Sequence, residues 1–159
     1  MLGPGMPPSP ITFDESLWPL LVIRFEGELS SQDFNDYLAR LSTYPIRQER
    51  YVCILDASAI RVGTREQGQR QAAWVKQHEA LLRQWQLGSA HVISSPTIRL
   101  LTSIILYLQP LPSPHIIVAR LSEAVAWALG RLEEAGLTLA AQHVRHHFGL
   151  LAEKPDQQA

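Results

Sequence analysis

A short, uninterrupted apolar run at the centre of the chain constrains the fold more than any other feature. Residues 51–58 have the sequence YVCILDAS, and the middle positions 52–55 are Val, Cys, Ile and Leu. A strand with one face in water alternates apolar and polar residues, whereas a continuous run is typical of a strand covered on both faces. We therefore expect a sheet with helices packed against it.

Further strand and helix patterns alternate along the chain. Apolar periodicity and turn signals predict strands at residues 11–16, 20–27, 51–58, 89–95 and 115–120. The first two strands are close enough to pair as an antiparallel hairpin, while helices separate the later strands and make them parallel. Capping boxes at Ser30 with Asp33 and at Thr64 with Gln67 predict the starts of the first two helices, and Gly88 predicts the end of the second. Ser95 caps the third helix, and Ser122 with Glu123 opens the last one. The predicted fold class is α/β, with a mixed five-stranded sheet and about four helices.

The chain is expected to form one domain with two accessory ends. Residues 1–10 are rich in Pro and Gly and predict a flexible arm, residues 11–136 hold the predicted strands and helices, and residues 137–159 form a C-terminal extension with one short helix and a polar tail. We find neither a secretory signal nor an apolar stretch of about 20 residues that would span a membrane. The single cysteine, which excludes an intrachain disulfide, also favours a cytoplasmic protein.

The balance of charge argues against nucleic acid as a partner. The chain carries 14 basic and 15 acidic residues, and its formal net charge is -1. Non-specific binding to nucleic acid requires a strong positive field, because that binding comes from neutralising phosphates with Lys and Arg. We therefore expect no nucleic-acid partner.

Motifs for catalysis and for cofactors are missing from the sequence. Neither GxGxxG nor GxxxxGK[ST] occurs, so nucleotide binding is not indicated, and no GxSxG nucleophile elbow occurs either. Cys53 falls inside the predicted buried strand, where a thiol packs as a small hydrophobe. His143 and His147 share one helical face, yet two ligands do not close a metal site. We predict no enzyme, no cofactor and no metal site.

A receiver-type phosphorelay domain is a weaker alternative. Its acidic pair, phosphoacceptor, hydroxyl and lysine would correspond to Glu26 with Glu28, Asp56, Ser94 and Arg120. In receivers the acceptor ends the third parallel strand, whereas Asp56 ends the strand that directly follows the one with the acidic pair. The order of the elements disfavours this hypothesis, which rests on analogy of fold.

Three stretches of the sequence carry a family resemblance, namely VCILDASAI, HVISSPTIRLLTSI and IIVARLSEAVAWALGRL. They resemble the anti-sigma-factor-antagonist (STAS) family, and in particular its SpoIIAA-like, STAS/SEC14-like branch. The likeness in pattern spans about residues 11–135. The resemblance implies a non-catalytic regulatory module that binds a protein partner or itself. The SEC14-like relatives imply an alternative, namely a carrier of a lipid or another small ligand.

The resemblance also singles out the end of the third strand. Antagonist STAS domains carry a phosphorylated serine at the start of their second helix, where this chain has VGTREQG and no serine. Ser58 and Thr64 remain as candidate phosphosites, with turn formation and helix capping as their alternative roles. Parallel strands and helix N-termini bring together a candidate anion or small-ligand site made of Asp56, Ser58, Thr64, Ser94, Ser95 and Arg99.

The predicted helix at residues 96–108 carries more apolar side chains than one sheet-facing stripe can bury. The surplus predicts a contact with the extension at residues 137–148, with a partner protein, or with a second copy in a homodimer. The candidate interface residues are Ile98, Leu101, Ile104, Ile105, Tyr107 and Leu108.

Overall fold

A computed structural model describes residues 9–62 and 64–150 of the protein. The strands are β1 (Ile11–Leu17), β2 (Leu20–Glu28), β3 (Tyr51–Val62), β4 (Gln86–Val92) and β5 (His115–Val118). The α-helices are α1 (Ser31–Leu41), α2 (Arg65–Gln77), α3 (Glu79–Trp85), α4 (Pro96–Leu108), α5 (Leu121–Glu134) and α6 (Thr138–His147). Most of the predicted N-terminal arm and the predicted polar tail lie outside the described residues.

The strands form one mixed sheet in the order β1-β2-β3-β4-β5. β1 and β2 pair antiparallel, with Ile11 opposite Phe25, and β3, β4 and β5 continue parallel to β2. This arrangement confirms the predicted α/β class and the predicted hairpin followed by parallel strands. The described residues form six α-helices, because the short helix of the C-terminal extension adds to the predicted four and the segment after Thr64 forms two helices instead of one.

One reason for the additional helix is a break in the segment that follows Thr64. His78 separates α2 from α3 with φ −102° and ψ 14°. Its Nδ1 lies 2.8 Å from the Trp74 carbonyl oxygen, and the two rings stack with their centroids 4.4 Å apart. Apolar residues continue at helical spacing across this break, so the sequence pattern predicts one helix where the chain forms two.

Gly88 lies inside β4, opposite Val52 of β3, and not at the helix end. The sequence predicted a helix that runs to a C-terminal cap at Gly88, and that prediction is wrong because α3 ends at Trp85 and β4 begins at once. The Trp127 indole of α5 packs against the Gly88 backbone. A glycine can therefore mark a close approach within a strand as well as a helix end.

Alternate residues of β3 face two separate hydrophobic cores. Val52 and Ile54 pack in a core formed with α5 and α6, whereas Tyr51 and Cys53 pack in a core formed with α1, α2 and α3. These four side chains are at most 2% exposed. The predicted burial of the strand on both faces is confirmed.

The C-terminal helix α6 packs against α5 and β1. Its residues Ala141 and Val144 are fully buried in the same core as Leu132 of α5 and Leu17 of β1. The short helix predicted at about residues 138–148 therefore forms and belongs to the α5 side of the sheet. Within residues 9–62 and 64–150, no helix is long and apolar enough to cross a membrane.

Candidate functional site

The DAS sequence at residues 56–58 forms a bulge inside β3. The Asp56 Oδ1 accepts hydrogen bonds from the Ser58 backbone N at 3.1 Å and from the Ser58 Oγ at 2.6 Å. Beside this bulge the pairing with β2 shifts, since Arg24 lies opposite Asp56 whereas Glu26 lies opposite Ala59. The strand then continues to residue 62, so the prediction that it ends in a turn at Ser58 is wrong. The same local hydrogen bonds can shape a turn or a bulge.

β4 pairs with only part of β3. The last pair between the two strands is Asp56 opposite Val92. Beyond it, β3 keeps its pairing with β2 as far as Glu28 opposite Val62. In the described part of the chain, residues 57–62 therefore have a neighbouring strand on one side only. Asp56 marks the point at which the sheet narrows.

Thr64 is the N-cap of α2. The Thr64 Oγ1 accepts a hydrogen bond from the Gln67 backbone N at 3.0 Å, and the Gln67 Oε1 accepts one from the Thr64 backbone N at 3.4 Å. The Gln67 Nε2 also donates to the Leu29 carbonyl oxygen at 3.0 Å, which ties α2 to the segment before α1. The predicted capping box is present, and Thr64 itself is exposed.

The N-terminus of α4 holds the remaining candidates from the sequence. The Ser95 Oγ accepts a hydrogen bond from the Ile98 backbone N at 3.3 Å, so Ser95 caps this helix as predicted. The neighbouring Ser94 is exposed. Arg99 is partly buried on the side of α4 turned toward the body of the protein, and its Nε is buried without a hydrogen-bond partner among the described residues.

The six residues of the candidate anion site belong to three separate local structures. These are the bulge at residues 56–58, the cap of α2 and the cap of α4. Within the described residues, no side-chain hydrogen bond or salt bridge joins one of these structures to another. Two open grooves, with volumes of about 390 and 400 Å³, are lined by other residues. Capping and bulge formation account for most of these side chains, and a shared pocket stays a prediction.

Three polar side chains meet on β4 and β5, on the sheet face opposite α5. The His91 Nε2 lies 3.2 Å from the Ser89 Oγ, and the His91 and His115 rings meet edge to face with centroids 6.5 Å apart. Burial, and to a lesser degree His115, lowers the pKa of His91 to about 4, so His91 is neutral near pH 7. Ser89 lies opposite His115 through strand pairing, and no local sequence signal reports such a juxtaposition.

The described residues contain neither an exposed thiol nor a cluster of metal-ligating side chains. Cys53 is 1% exposed, and burial raises the pKa of its thiol to about 12. A reactive thiolate therefore does not form at neutral pH. Among residues 9–62 and 64–150, no three His, Cys, Asp or Glu side chains are placed to hold one metal ion.

Among the residues that the structure describes, the most extensive exposed apolar surface is one side of α4. We call it the outer face of α4, and it consists of Ile98, Leu100, Leu101, Ile104, Ile105, Tyr107 and Leu108. Their exposed fractions range from 42% for Ile98 to 84% for Tyr107. The partly buried positions on the opposite side are Arg99, Thr102 and Leu106. The helix turns a largely polar side inward and an apolar side to water, which reverses the usual pattern of a surface helix.

No helix or strand of the described chain makes an extensive contact with α4. None of its 13 residues is buried. The sequence predicted that the apolar residues of α4 contact the extension at residues 137–148, a partner protein or a second copy. In the structure α6 packs against α5 and β1 instead. Within the described residues α6 therefore does not cover the outer face of α4, and the contacts with a partner protein or a second copy stay predictions.

Comparison with known proteins identifies the fold. No family model matches the chain, and no curated protein matches it either. A solved structure of an uncharacterized protein from the DUF3478 family of Shewanella loihica PV-4, described as having a SpoIIAA-like fold, is similar to it. The TM-score is 0.56 at 13% sequence identity, and the match covers 74% of this chain and 91% of that chain. At this identity the likeness concerns the fold and not the function. The chain has a SpoIIAA-like fold, as its resemblance to the STAS family implied.

Proposed function

We propose that the protein is a non-catalytic interaction module that associates with a second copy of itself through the outer face of α4. The observation that carries this proposal is the exposure of seven apolar side chains on one side of one helix. At their exposed fractions these residues present on the order of 800 Å² to solvent, which is about one partner's share of a standard protein interface. The largest apolar patch on a typical monomer is roughly 300–600 Å².

The charge pattern of α4 supports a protein partner over a lipid surface. Helices that bind membrane surfaces usually carry several Lys or Arg residues on their polar side. In α4 the only charged residue is Arg99, which lies on the inward side. The outer face carries no charge, so two copies of it can meet without repulsion between like charges.

The local roles of the polar candidates support a module without a reaction of its own. Asp56 and Ser58 bond to each other, and the Thr64 and Ser95 hydroxyls cap helices. The thiol of Cys53 is buried. The resemblance to the STAS family supports a regulatory role for the association, and the single cysteine supports a cytoplasmic setting.

Native mass spectrometry of the full chain tests the proposal, with light scattering to confirm the mass in solution. We expect a dimer for the natural sequence at micromolar concentration. A double variant, Leu101→Gln with Ile104→Gln, should be monomeric because it places two polar side chains in the middle of the outer face. Glutamine is a good helix former, so the helix itself should persist.

A matched control is available on α6. Leu139 is 82% exposed and lies on a helix whose other side is packed, so Leu139→Gln should leave the dimer intact. Circular dichroism and thermal unfolding would confirm that each variant is folded. A natural chain that stays monomeric, or a double variant that dimerises as well as the control, would contradict the proposal.

A small-ligand carrier is the second candidate function, and the buried Nε of Arg99 favours it. This nitrogen has no hydrogen-bond partner among the described residues, and an anion beneath α4 would provide one. Native mass spectra of the purified protein should then contain a retained small molecule that Arg99→Leu no longer holds. Identical ligand-free spectra for both proteins would remove this candidate.

A further inference from the structure

A regular seam runs along the middle of the outer face of α4. The exposed residues Thr97, Leu101, Ile104 and Leu108 recur at intervals of four, three and four residues. This is the a/d spacing by which helices pack side by side. The partly buried residues Ser95, Arg99, Thr102 and Leu106 recur at the same intervals on the other side of the helix. The seam therefore points away from the body of the protein, where a second helix can reach it.

The seam is also symmetric about its own midpoint. With 13 residues, α4 is about 20 Å long. Its middle falls between Leu101 and Ile104. When a second copy of α4 lies across this point and runs in the reverse direction, each residue lies opposite the residue at the same distance on the other side of the point. In this arrangement every residue of the outer face lies opposite an apolar residue or Thr97. The pairs are Leu101 with Ile104, Leu100 with Ile105, Ile98 with Tyr107, and Leu108 with Thr97.

This symmetry lets a two-fold contact between identical chains place apolar residues against apolar residues along most of the seam. In such a contact, residue i of one copy meets residue j of the other, and j of the first meets i of the second. A charged side chain near the axis would meet its own copy. The outer face has none, and the one charge of α4 is on the opposite side. The face is complementary to itself when the second helix runs in the reverse direction.

Helix dipoles favour the reverse direction as well. Antiparallel helices place the positive N-terminus of each beside the negative C-terminus of the other. A parallel pair would place the two N-termini together and would set Thr97 against Thr97 at the end of the seam.

We infer that two copies of this chain pair through antiparallel α4 helices, across a two-fold axis that passes between Leu101 and Ile104. This inference rests on the proposed function and adds the direction and register of the contact. Each Thr97 lies beside Leu108 of the second copy, and the two Thr97 residues lie at opposite ends of the seam.

Disulfide trapping in the full-length protein tests this register. Thr97→Cys and Leu108→Cys are made as separate proteins, mixed, and oxidised mildly in a glutathione buffer. The natural Cys53 is buried and does not compete. In the antiparallel pair the mixed disulfide should exceed either homodimeric disulfide by about tenfold or more. The reason is that pairing raises the local concentration of the thiol at position 97 of one copy only near the thiol at position 108 of the other copy. Mass spectrometry distinguishes the three products, and Leu139→Cys on α6 gives the rate of random collision.

Every other result contradicts the inference, and the results differ in whether they also contradict the proposed function. Homodimeric disulfides without the mixed product would show parallel helices, and a native dimer that no combination traps would show another register or surface. In both cases the inference fails, while the proposed function still depends on whether Leu101→Gln with Ile104→Gln abolishes the dimer. A natural chain that is monomeric, whether or not it binds phosphatidylcholine vesicles, would overturn both.

Discussion

The Trp127 indole of α5 lies directly over the Gly88 backbone of β4. A Cβ on Gly88 would lie 2.5 Å from the Trp127 Cη2 and 3.1 Å from the Pro114 carbonyl oxygen. Gly88 is buried in the middle of the sheet, opposite Val52 of β3. The missing side chain therefore lets α5 pack close to β4.

Gly88→Ala should destabilise the protein by about 1–3 kcal/mol, because the new methyl group must displace the indole or the strand. Urea unfolding followed by circular dichroism measures this loss. Gly130→Ala is the matched control, since a Cβ at Gly130 of α5 meets open space and alanine is the better helix former. We expect the control to be as stable as the natural chain or more so. Equal losses at the two glycines would contradict the close packing of Trp127 on Gly88.

Asp56→Ala should lower the free energy of unfolding by about 1 kcal/mol, because the Ser58 amide and hydroxyl both lose their acceptor. Asp56→Asn keeps an acceptor oxygen at the same place and should cost less. The midpoints of urea unfolding compare the two variants. If the alanine variant is as stable as the natural chain, the bulge does not depend on this carboxylate.

Thr64→Ala should cost about 1 kcal/mol, because it removes the oxygen that caps the Gln67 amide at the start of α2. Thr64→Asn, which supplies another good capping oxygen, should stay close to the natural stability. Thermal unfolding at one fixed pH would rank the three proteins. An asparagine variant as unstable as the alanine variant would show that the loss does not come from the cap.

Phosphate uptake tests the switch hypothesis that comes from the STAS resemblance. Combining Ser58→Ala with Thr64→Ala should abolish the incorporation of phosphate into the protein by cellular kinases. Incubation with cell extract and radiolabelled ATP measures the incorporation. Undiminished incorporation in the double variant would exclude both hydroxyls as its sites.

His91 should make the protein less stable as the pH falls from about 6.5, the usual pKa of an unfolded histidine, toward about 4, its pKa in the folded chain. Within this window the unfolded chain binds a proton that the folded chain does not, so protonation favours unfolding. Above the window both states are neutral and the effect vanishes. His91→Leu should show a shallower decline in urea midpoints across the window. A decline as steep as that of the natural chain would contradict this assignment.

Local signals in the sequence predicted those parts of the fold that local contacts create. The capping boxes at Ser30 and Thr64 involve residues three positions apart, and both form as predicted. The His78 break and the role of Gly88 depend on Trp74 and Trp127, whose positions follow from the packing of helices. The extension of β3 beyond Ser58 depends on pairing with β2, which continues after β4 has stopped.

The candidate sites also divide into features that local sequence signals predict and features that depend on packing or strand pairing. The sequence predicted the surplus of apolar residues on α4 from their number alone. It did not predict that Arg99 would lie on the inward side, because an apolar helix offers no stripe that reveals its orientation. The contact of His91 with Ser89 and His115 depends on the pairing of β4 with β5, and no local pattern indicates that pairing.

Because β4 ends at Val92, the described part of β3 has an open edge beyond that point, and an open edge affects the tendency of a protein to aggregate. A strand with an open edge is a template on which a foreign strand can add and begin an aggregate. Here the Asp56 carboxylate already holds the Ser58 amide, two residues past the last pair with β4, and the bulge offsets the residues that follow. While this hydrogen bond holds, the Ser58 amide cannot donate to an incoming strand. The acid that ends the apolar run thus withholds one backbone donor of β3 from any added strand.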